Sequence, residues 1–335
     1  MTTCRWLGLD MSALGLVASI PEVSVHASRQ LAENTKQIQL VNRRETFNTS
    51  AEPCILRNAA WIGSEIEVAD DHGTIVSGRV SDGMLDSGIL TLTVQSPFRR
   101  YFTEKLNHAV SAADPATAIL SLIRSTGMPD DVLDIESFET ASRLLTERGI
   151  ICHANCLTQY NVTLIEAVNS LLDMGSLAAW MDDRLHVGYP PKPVTHVATL
   201  CQRITTRDQI GFVDTGNIAD RVTRYSLGYL GDSGGSLPAE GGEKEADRTW
   251  SEQYNATSMY QFVSATAAHG AGQLRLDLDV PRRTATVRVR EDGGLPIIMG
   301  SAYAIDGVSW GGAPGWLAGH TRKNGVITLS MQEVV

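Results

Sequence analysis

No stretch of the sequence approaches the roughly 18–20 consecutive apolar residues that a membrane helix needs. The longest candidate, Met11–Ile20, is about half that length and follows Asp10. The same segment makes a poor secretory signal, because Arg5 is the only basic residue ahead of it and Asp10 interrupts the approach. Cysteine is scarce. Cys4, Cys54, Cys152, Cys156 and Cys201 are odd in number and irregularly spaced, which excludes a secreted disulfide framework. They read as reduced, partly buried thiols in a protein made in the cytoplasm. Positive charge is in deficit: 28 Lys and Arg face 38 Asp and Glu, a net charge of −10. That excludes a broadly basic nucleic-acid-binding surface, and an acidic surface lets a polyanion pass without sticking. There is no Walker-type phosphate loop and no G-x-G-x-x-G between strand and helix.

What is present is a globular composition. With 335 residues, 43% apolar and 20% charged, the chain is long enough for two domains, or three, with real cores. Thirty glycines and only 6% aromatics suit a turn-rich β protein.

The first third alternates with period two. Glu22–His26, Gln37–Val41, Gly63–Val68, Thr74–Val80 and Ile89–Val94 predict strands, with Ile66 and Val68, then Leu90, Leu92 and Val94, on inner faces. Asp71-His72-Gly73 and Asp82-Gly83 predict turns. The middle third changes period. Asp114-Pro115 caps a helix carrying Ala118, Ile119, Leu122 and Ile123 and ending at Gly127. A second helix spans Ser137–Gly149, with Phe138, Ala141, Leu144 and Leu145 inward. Thr163-Leu-Ile-Glu166 is a capping box opening a third, which carries Ile165, Val168, Leu171 and Leu172 and closes at Gly175. A hairpin follows, Ala178–Met181 and Leu185–Val187 around Asp182-Asp183. Pro190, Pro191 and Pro193 mark a boundary. Beyond it, Ile218–Tyr229, Gln273–Val280, Thr286–Arg290 and Val326–Met331 predict strands, with a glycine-rich, acidic and mobile loop over 231–247. Asp292-Gly293, Asp306-Gly307 and Asn324-Gly325 predict turns. No repeat occurs at the 20–50-residue periods of solenoids. The β, α/β, β order predicts an α+β, predominantly β fold: two small antiparallel β-barrels flanking an inserted α/β domain. The boundaries are 1–105, 106–195 and 196–335.

Several strings carry chemistry on paper. Gly231-Asp-Ser-Gly-Gly235 matches the nucleophile segment of chymotrypsin-like proteases, and Thr266-Ala-Ala-His269 matches their histidine segment. The order is inverted, and Ser233 runs into an acidic loop that offers no rigid support, so the string reads as a hairpin loop. Cys152, Cys156, His196 and Cys201, with His153 nearby, could be drawn as a zinc site, but their spacing fits no known knuckle. The remaining histidines, His26, His72, His108, His186 and His320, are dispersed, with surface roles expected for His72 and His186. Asp130-Asp131, Asp182-Asp183 and Glu139 read as solvated carboxylates. Trp310-Gly-Gly-Ala-Pro-Gly-Trp316 reads as an exposed aromatic loop for a partner or glycan, or as a loop packed on the second barrel. No catalytic, cofactor or metal site is expected, and none of these strings points to an enzyme.

The ordered pattern resembles the hub proteins of phage tail tips and baseplates, which have relatives in contractile injection systems. The resemblance rests on Ala60–Val68, Gly78-Arg-Val80, Leu90–Val94, the helix Pro115–Ile123 ending at Gly127, Thr163–Leu172 with Ala179-Trp180 behind it, Asn217–Tyr225, and a terminal Gly-turn and strand. It covers the chain from about Pro21 onward. The N-terminal segment and the acidic loop depart from it. It implies a homotrimer whose two barrels per chain match a six-fold tail tube to a three-fold tip around the DNA channel. It also implies a virion location after synthesis in the host cytoplasm. Expected partners are the tail tube or a distal tail protein, and tip, spike or fibre proteins, with DNA only as passing cargo and no membrane insertion. With no long C-terminal fibre or wall-degrading domain expected, receptor binding and peptidoglycan cleavage fall to other proteins. The competing readings are a hydrolase using Ser233 or the Cys152–Cys156 region, and a carbohydrate- or receptor-binding module using Trp310–Trp316.

Overall fold

The computed structural model of the chain describes residues 2–32, 35–47, 56, 61–71, 73–157, 159–182, 184–189, 202–215, 224–230, 236–243, 262–278, 283–308, 310 and 314–333. The chain divides into two units: residues 1–23 with 32–102, and residues 24–31 with 103–335. Among the described residues the fold is predominantly β with a minority of helices. No described helix is long and apolar enough to cross a membrane.

The first unit holds β1 (Thr3–Trp6), β2 (Leu9–Asp10) and β3 (Val17–Ser19). After β4 (Val23–His26), which pairs elsewhere, come β5 (Thr35–Val41), β6 (Glu65–Asp70), β7 (Gly73–Asp86), β8 (Ile89–Gln95) and the short helix α1 (Arg99–Phe102). The sheet order is β2-β1-β6-β7-β8-β5-β3, antiparallel throughout. The period-two pattern sets its inner face. Ile66 and Val68 are buried while Glu65 and Glu67 are exposed, and Leu90, Leu92 and Val94 are buried on β8. Trp6, Ile38, Leu40 and Phe47 complete the core, and the Trp6 indole N–H donates to Ser64 Oγ at 2.8 Å. Asp82-Gly83, predicted as a turn, lies inside β7, where the register shifts between Val80 and Asp82. Gly83 answers a close approach instead: a Cβ there would sit 2.5 Å from the Trp61 ring. The chain turns at Ser87-Gly88, both at positive φ (46° and 87°), the geometry of a tight hairpin.

The second unit opens with β9 (Lys105–His108) and α2 (Pro115–Ser125). There follow α3 (Ile135–Glu147), α4 (Ala154–Leu157), β10 (Gln159–Thr163), α5 (Leu164–Gly175) and the hairpin β11 (Ala178–Met181) with β12 (Leu185–Gly188). The predicted caps form. Asp114 Oδ1 accepts the Thr117 N–H at 3.0 Å, and Gly127 takes φ +74° beyond the end of α2. Thr163 and Glu166 close a capping box at the start of α5. The buried stripes of α2 and α5 are the predicted ones, while Leu144 on α3 and Ile165 on α5 are only half-buried.

The remaining elements are β13 (Gln202–Ile204), β14 (Gln209–Thr215), β15 (Arg224–Leu230), β16 (Ser236–Glu243), α6 (Ala265–Leu278), β17 (Thr284–Arg290), β18 (Ala302–Ile305), β19 (Gly315–Lys323) and β20 (Val326–Glu333). Two expectations fail here. Gln273–Leu278 is helix, not strand. Leu274, Leu276 and Leu278 alternate, but the stripe that closes on the fold is Ala267, Ala268, Ala271 and Leu274, at helical spacing. Ser264 Oγ caps this helix by accepting the Ala267 N–H at 3.2 Å. Within the predicted loop 231–247, Ser236–Glu243 is a strand that pairs with β15, and α6 packs against both. The proline boundary and Ile218–Val222 lie outside the described residues.

The second large sheet runs β13-β18-β19-β20-β17-β14, with β4 added beside β19. Its core is Val287, Val289, Tyr303, Leu317, Leu329 and Met331 with Trp310. With β2 set aside, the first sheet reads β1-β6-β7-β8-β5-β3. Taken in chain order within each sheet, the strands occupy the same places, so the two sheets share one strand order.

The register agrees as well. Ile66 pairs with Gly78 as Tyr303 pairs with Gly315. The bulge between Val80 and Asp82 recurs between Leu317 and Gly319. The hairpin pair Asp86–Ile89 recurs as Lys323–Val326, around Asn324-Gly325 at φ 51° and 75°. Thr35 pairs with Gln95 as Thr284 pairs with Gln332, and the irregular β3–β5 pairing recurs between β14 and β17. Gly63 and Ser64 bracket Val80 by backbone hydrogen bonds as Gly300 and Ser301 bracket Leu317. The sequence echoes this: Gly88-Ile-Leu-Thr-Leu-Thr-Val-Gln95 against Gly325-Val-Ile-Thr-Leu-Ser-Met-Gln332. One pairing departs, since β1–β6 is antiparallel and β13–β18 parallel.

Candidate functional site

Among the described residues the chemical candidates are not brought together. Ser233, His72, His196, Cys201, Cys54 and Asp183 lie outside the described residues, as do the side chain of Cys156 and the segment Gly311–Ala313. His269, which stands in the histidine-like string, is exposed on α6. Cys152 is fully buried, and its backbone bridges to Ala113 and Phe262. Among the described residues no group of His, Cys, Asp and Glu is arranged to hold a metal. Burial, with Asp10 nearby, pushes the Cys4 thiol up to about 11, which leaves it a packing group rather than a nucleophile. Trp310 and Trp316 are 4% and 3% exposed, so neither ring is displayed to a glycan or partner. Trp310 sits in the second sheet's core against Gly315, and Trp316 packs beside Ala318.

Asp130 pairs with Arg124 at 2.7 Å, an exposed bridge. Asp114 also accepts from the Thr117 and Ser142 hydroxyls at 2.7 and 2.8 Å, so its buried carboxylate is fully used in joining α2 to α3. A groove of about 420 Å³ between these helices is lined by Leu120, Phe138, Glu139 and Arg143.

The second unit contains a clasp. Residues 24–31 belong to it although their flanks belong to the first unit. The Ala27 N–H donates to Ala318 O on β19 at 2.8 Å. Ser28 and Ala179 on β11 exchange backbone hydrogen bonds of 2.9 and 2.8 Å. Asn169 on α5 accepts the Leu31 N–H at 2.7 Å and donates to Leu31 O at 3.0 Å, imitating a strand. The His26 ring covers Gly319 so closely that a Cβ there would lie 1.9 Å from Nδ1.

Beside the clasp stands a histidine–carboxylate cluster that the sequence did not reveal. His186 Nδ1 is 2.8 Å from Asp134 and Nε2 is 2.9 Å from Asp182, while its ring stacks on Trp180 at 5.2 Å. Burial works against the charge, but the hydrogen bonds and charges of Asp182 and Asp134 outweigh it and raise the His186 pKa. His320 is held below its usual value by burial, then by His26 and Arg322, with Asp182 opposing. The cluster fastens the β11–β12 hairpin to the start of α3. Nothing in it presents a nucleophile or a substrate cleft.

The surface is the more informative feature. Met84 and Leu85, near the tip of the β7–β8 hairpin, are 63% and 42% exposed, and Ile210 and Val213 project from the edge strand β14. Unpaired strand edges and exposed apolar side chains are features that favour pairing with another chain.

No family model matches the sequence, and no curated protein matches it. Solved structures do. The chain is similar to the prophage MuSo2 43 kDa tail protein from Shewanella oneidensis, with a TM-score of 0.59 and 10% identity over 98% of this chain and 97% of that one. It is similar to the tail protein from Neisseria meningitidis MC58, with a TM-score of 0.57 and 12% identity over 99% and 96%. It is also similar to prophage tail protein gp18 from Listeria monocytogenes EGD-e, with a TM-score of 0.52 and 10% identity over 94% and 89%. The fold is that of phage tail proteins. Identities this low transfer the fold, not the roles of individual residues.

Proposed function

We propose that the chain is a structural virion protein, a hub of the tail tip or baseplate. It assembles as a homotrimer, adapts the six-fold tail tube to the three-fold tip and lines the DNA channel. The observation that supports this reading is the duplicated sheet within a fold matching phage tail proteins end to end. Two equivalent modules per chain let three copies present six equivalent positions, and closed symmetric rings are the usual outcome of such contacts. The modules are two small barrels within 1–105 and 196–335, flanking an α/β domain at 106–195. A net charge of −10 suits a channel through which DNA passes as cargo without adhering.

The partners are the tail tube or a distal tail protein on one side and tip, spike or fibre proteins on the other. This reading assigns the protein a structural role and no catalytic one. The test is sedimentation velocity on the purified chain, followed by class averages of the assembled particle. A three-fold ring with a central channel is expected; a strict monomer inside intact virions overturns the reading.

A further inference from the structure

The two sheets differ at one equivalent edge. On β19, past the bulge at Leu317–Gly319, the side opposite β20 is covered by β4: Ala27 bonds to Ala318, His26 lies over Gly319, and Ser24 meets Thr321 at 3.5 Å. On β7, past the matching bulge at Val80–Asp82, the pairing with β6 has ended at Arg79. Among the described residues no strand is bonded to that side of Asp82–Asp86. The edge carries no lysine or proline; Asp82, whose Oδ1 accepts the Gly83 N–H at 2.8 Å, and Asp86 bracket the exposed Met84 and Leu85.

The duplication also indicates what covers it. β4 lies in the segment joining β3 to β5, and from Ser24 onward that segment belongs to the second unit, where β4 pairs with β19. The equivalent segment in the second module joins β14 to β17, and the strands it carries are β15 and β16. That hairpin is bonded within itself and, at Tyr229, to Phe262. Among the described residues the outer side of β16 carries no strand.

We infer that the β15–β16 hairpin of a second copy of this chain adds to the open Asp82–Asp86 edge of β7, as β4 adds to β19 within the chain. The inference rests on the trimer reading and names its contact. Each module then hands one extended segment to the next, alternately within and between copies. Head-to-tail contacts of this kind give a ring when the rotation between copies closes, as the trimer reading requires. Main-chain bonding along the edge supplies affinity, and the two apolar side chains are covered.

The experiment places the photo-crosslinker p-benzoylphenylalanine at exposed position 84 in the full chain. Copies labelled with light and heavy nitrogen are mixed, and the crosslinked peptides are mapped. The expected product joins position 84 of one copy to a peptide from 224–243 of another. Met84→Asp with Leu85→Asp is expected to weaken association at least tenfold while leaving the melting temperature of the dissociated chain unchanged. A trimer that crosslinks elsewhere in the chain, crosslinks only within one copy, or withstands both aspartates overturns the inference and leaves the adaptor reading standing. A chain that stays monomeric with its tail partners present overturns both.

Discussion

Gly78 and Gly315 hold the same station in two different sheets, one opposite Ile66 and the other opposite Tyr303, and neither leaves room for a side chain. A Cβ on Gly78 would lie 2.1 Å from the Gln95 carbonyl oxygen. One on Gly315 would lie 2.7 Å from the Trp310 ring and 2.8 Å from Ile305 Cδ1. The obstacle is fixed backbone in the first case and side chains in the second. Gly78→Ala is therefore expected to cost about 3 kcal/mol, and Gly315→Ala about 1–2 kcal/mol. Urea unfolding of the two variants measures this, and a larger loss at Gly315 would contradict it.

The histidine cluster makes stability depend on pH with two opposite signs. His186 binds its proton more tightly in the folded state. Its contribution is complete below the unfolded value of about 6.5 and fades as pH rises through the raised folded value. His320 binds its proton less tightly when folded, so stability falls as pH drops below about 6.5. His186→Gln should cost about 1.5–3 kcal/mol in acid and less at alkaline pH. His320→Gln should make the fold less sensitive to acid. Unfolding free energies at two pH values on either side of neutrality check both signs.

Asp114 joins α2 to α3 through the Thr117 amide and two hydroxyls. Asp114→Ala removes a cap and strands those donors, at a cost of about 2–4 kcal/mol. Thermal unfolding reads the loss, and a variant within a few tenths of a kcal/mol of the parent would show the network to be dispensable.

One side-chain amide holds the Leu31 end of the clasp. Asn169→Ala leaves the Leu31 N–H without its acceptor and is expected to destabilise the second unit by about 1–3 kcal/mol. Limited proteolysis should then cut within 24–31 sooner than in the parent. An unchanged digestion pattern would mean that the segment 24–31 is held by its bonds to β19 and β11 alone.

Trp316 is a core residue, so Trp316→Ala should cost about 3–5 kcal/mol in stability. A variant that loses glycan binding yet unfolds like the parent would restore the ligand-binding reading of Trp310–Trp316.

Much of the fold was legible because its signals are local. Asp114-Pro115 and Thr163–Glu166 are caps whose donors and acceptors lie within three residues of one another, and β6 and β8 alternate because one face is buried. What escaped the sequence depends on distant partners. Asp82-Gly83 reads as a turn until Trp61 is seen against Gly83. The leucines at 274, 276 and 278 outweigh a stripe built largely of alanine, whose apolar signal is weak. His186 gives no sign of Asp134, which lies on another element. Two related modules are expected from the β, α/β, β order, but the residue-level echo between Gly88–Gln95 and Gly325–Gln332 is harder to read, because its spacing exceeds any solenoid period and its clearest signal is confined to one strand and a few glycines.

Class averages of the isolated chain, viewed down the ring axis by electron cryomicroscopy, test the adaptor role most directly. Three chains should appear as a closed ring with six similar lobes around an open centre. A single-lobed particle, or a closed dimer at every concentration and in the presence of tail partners, would contradict it.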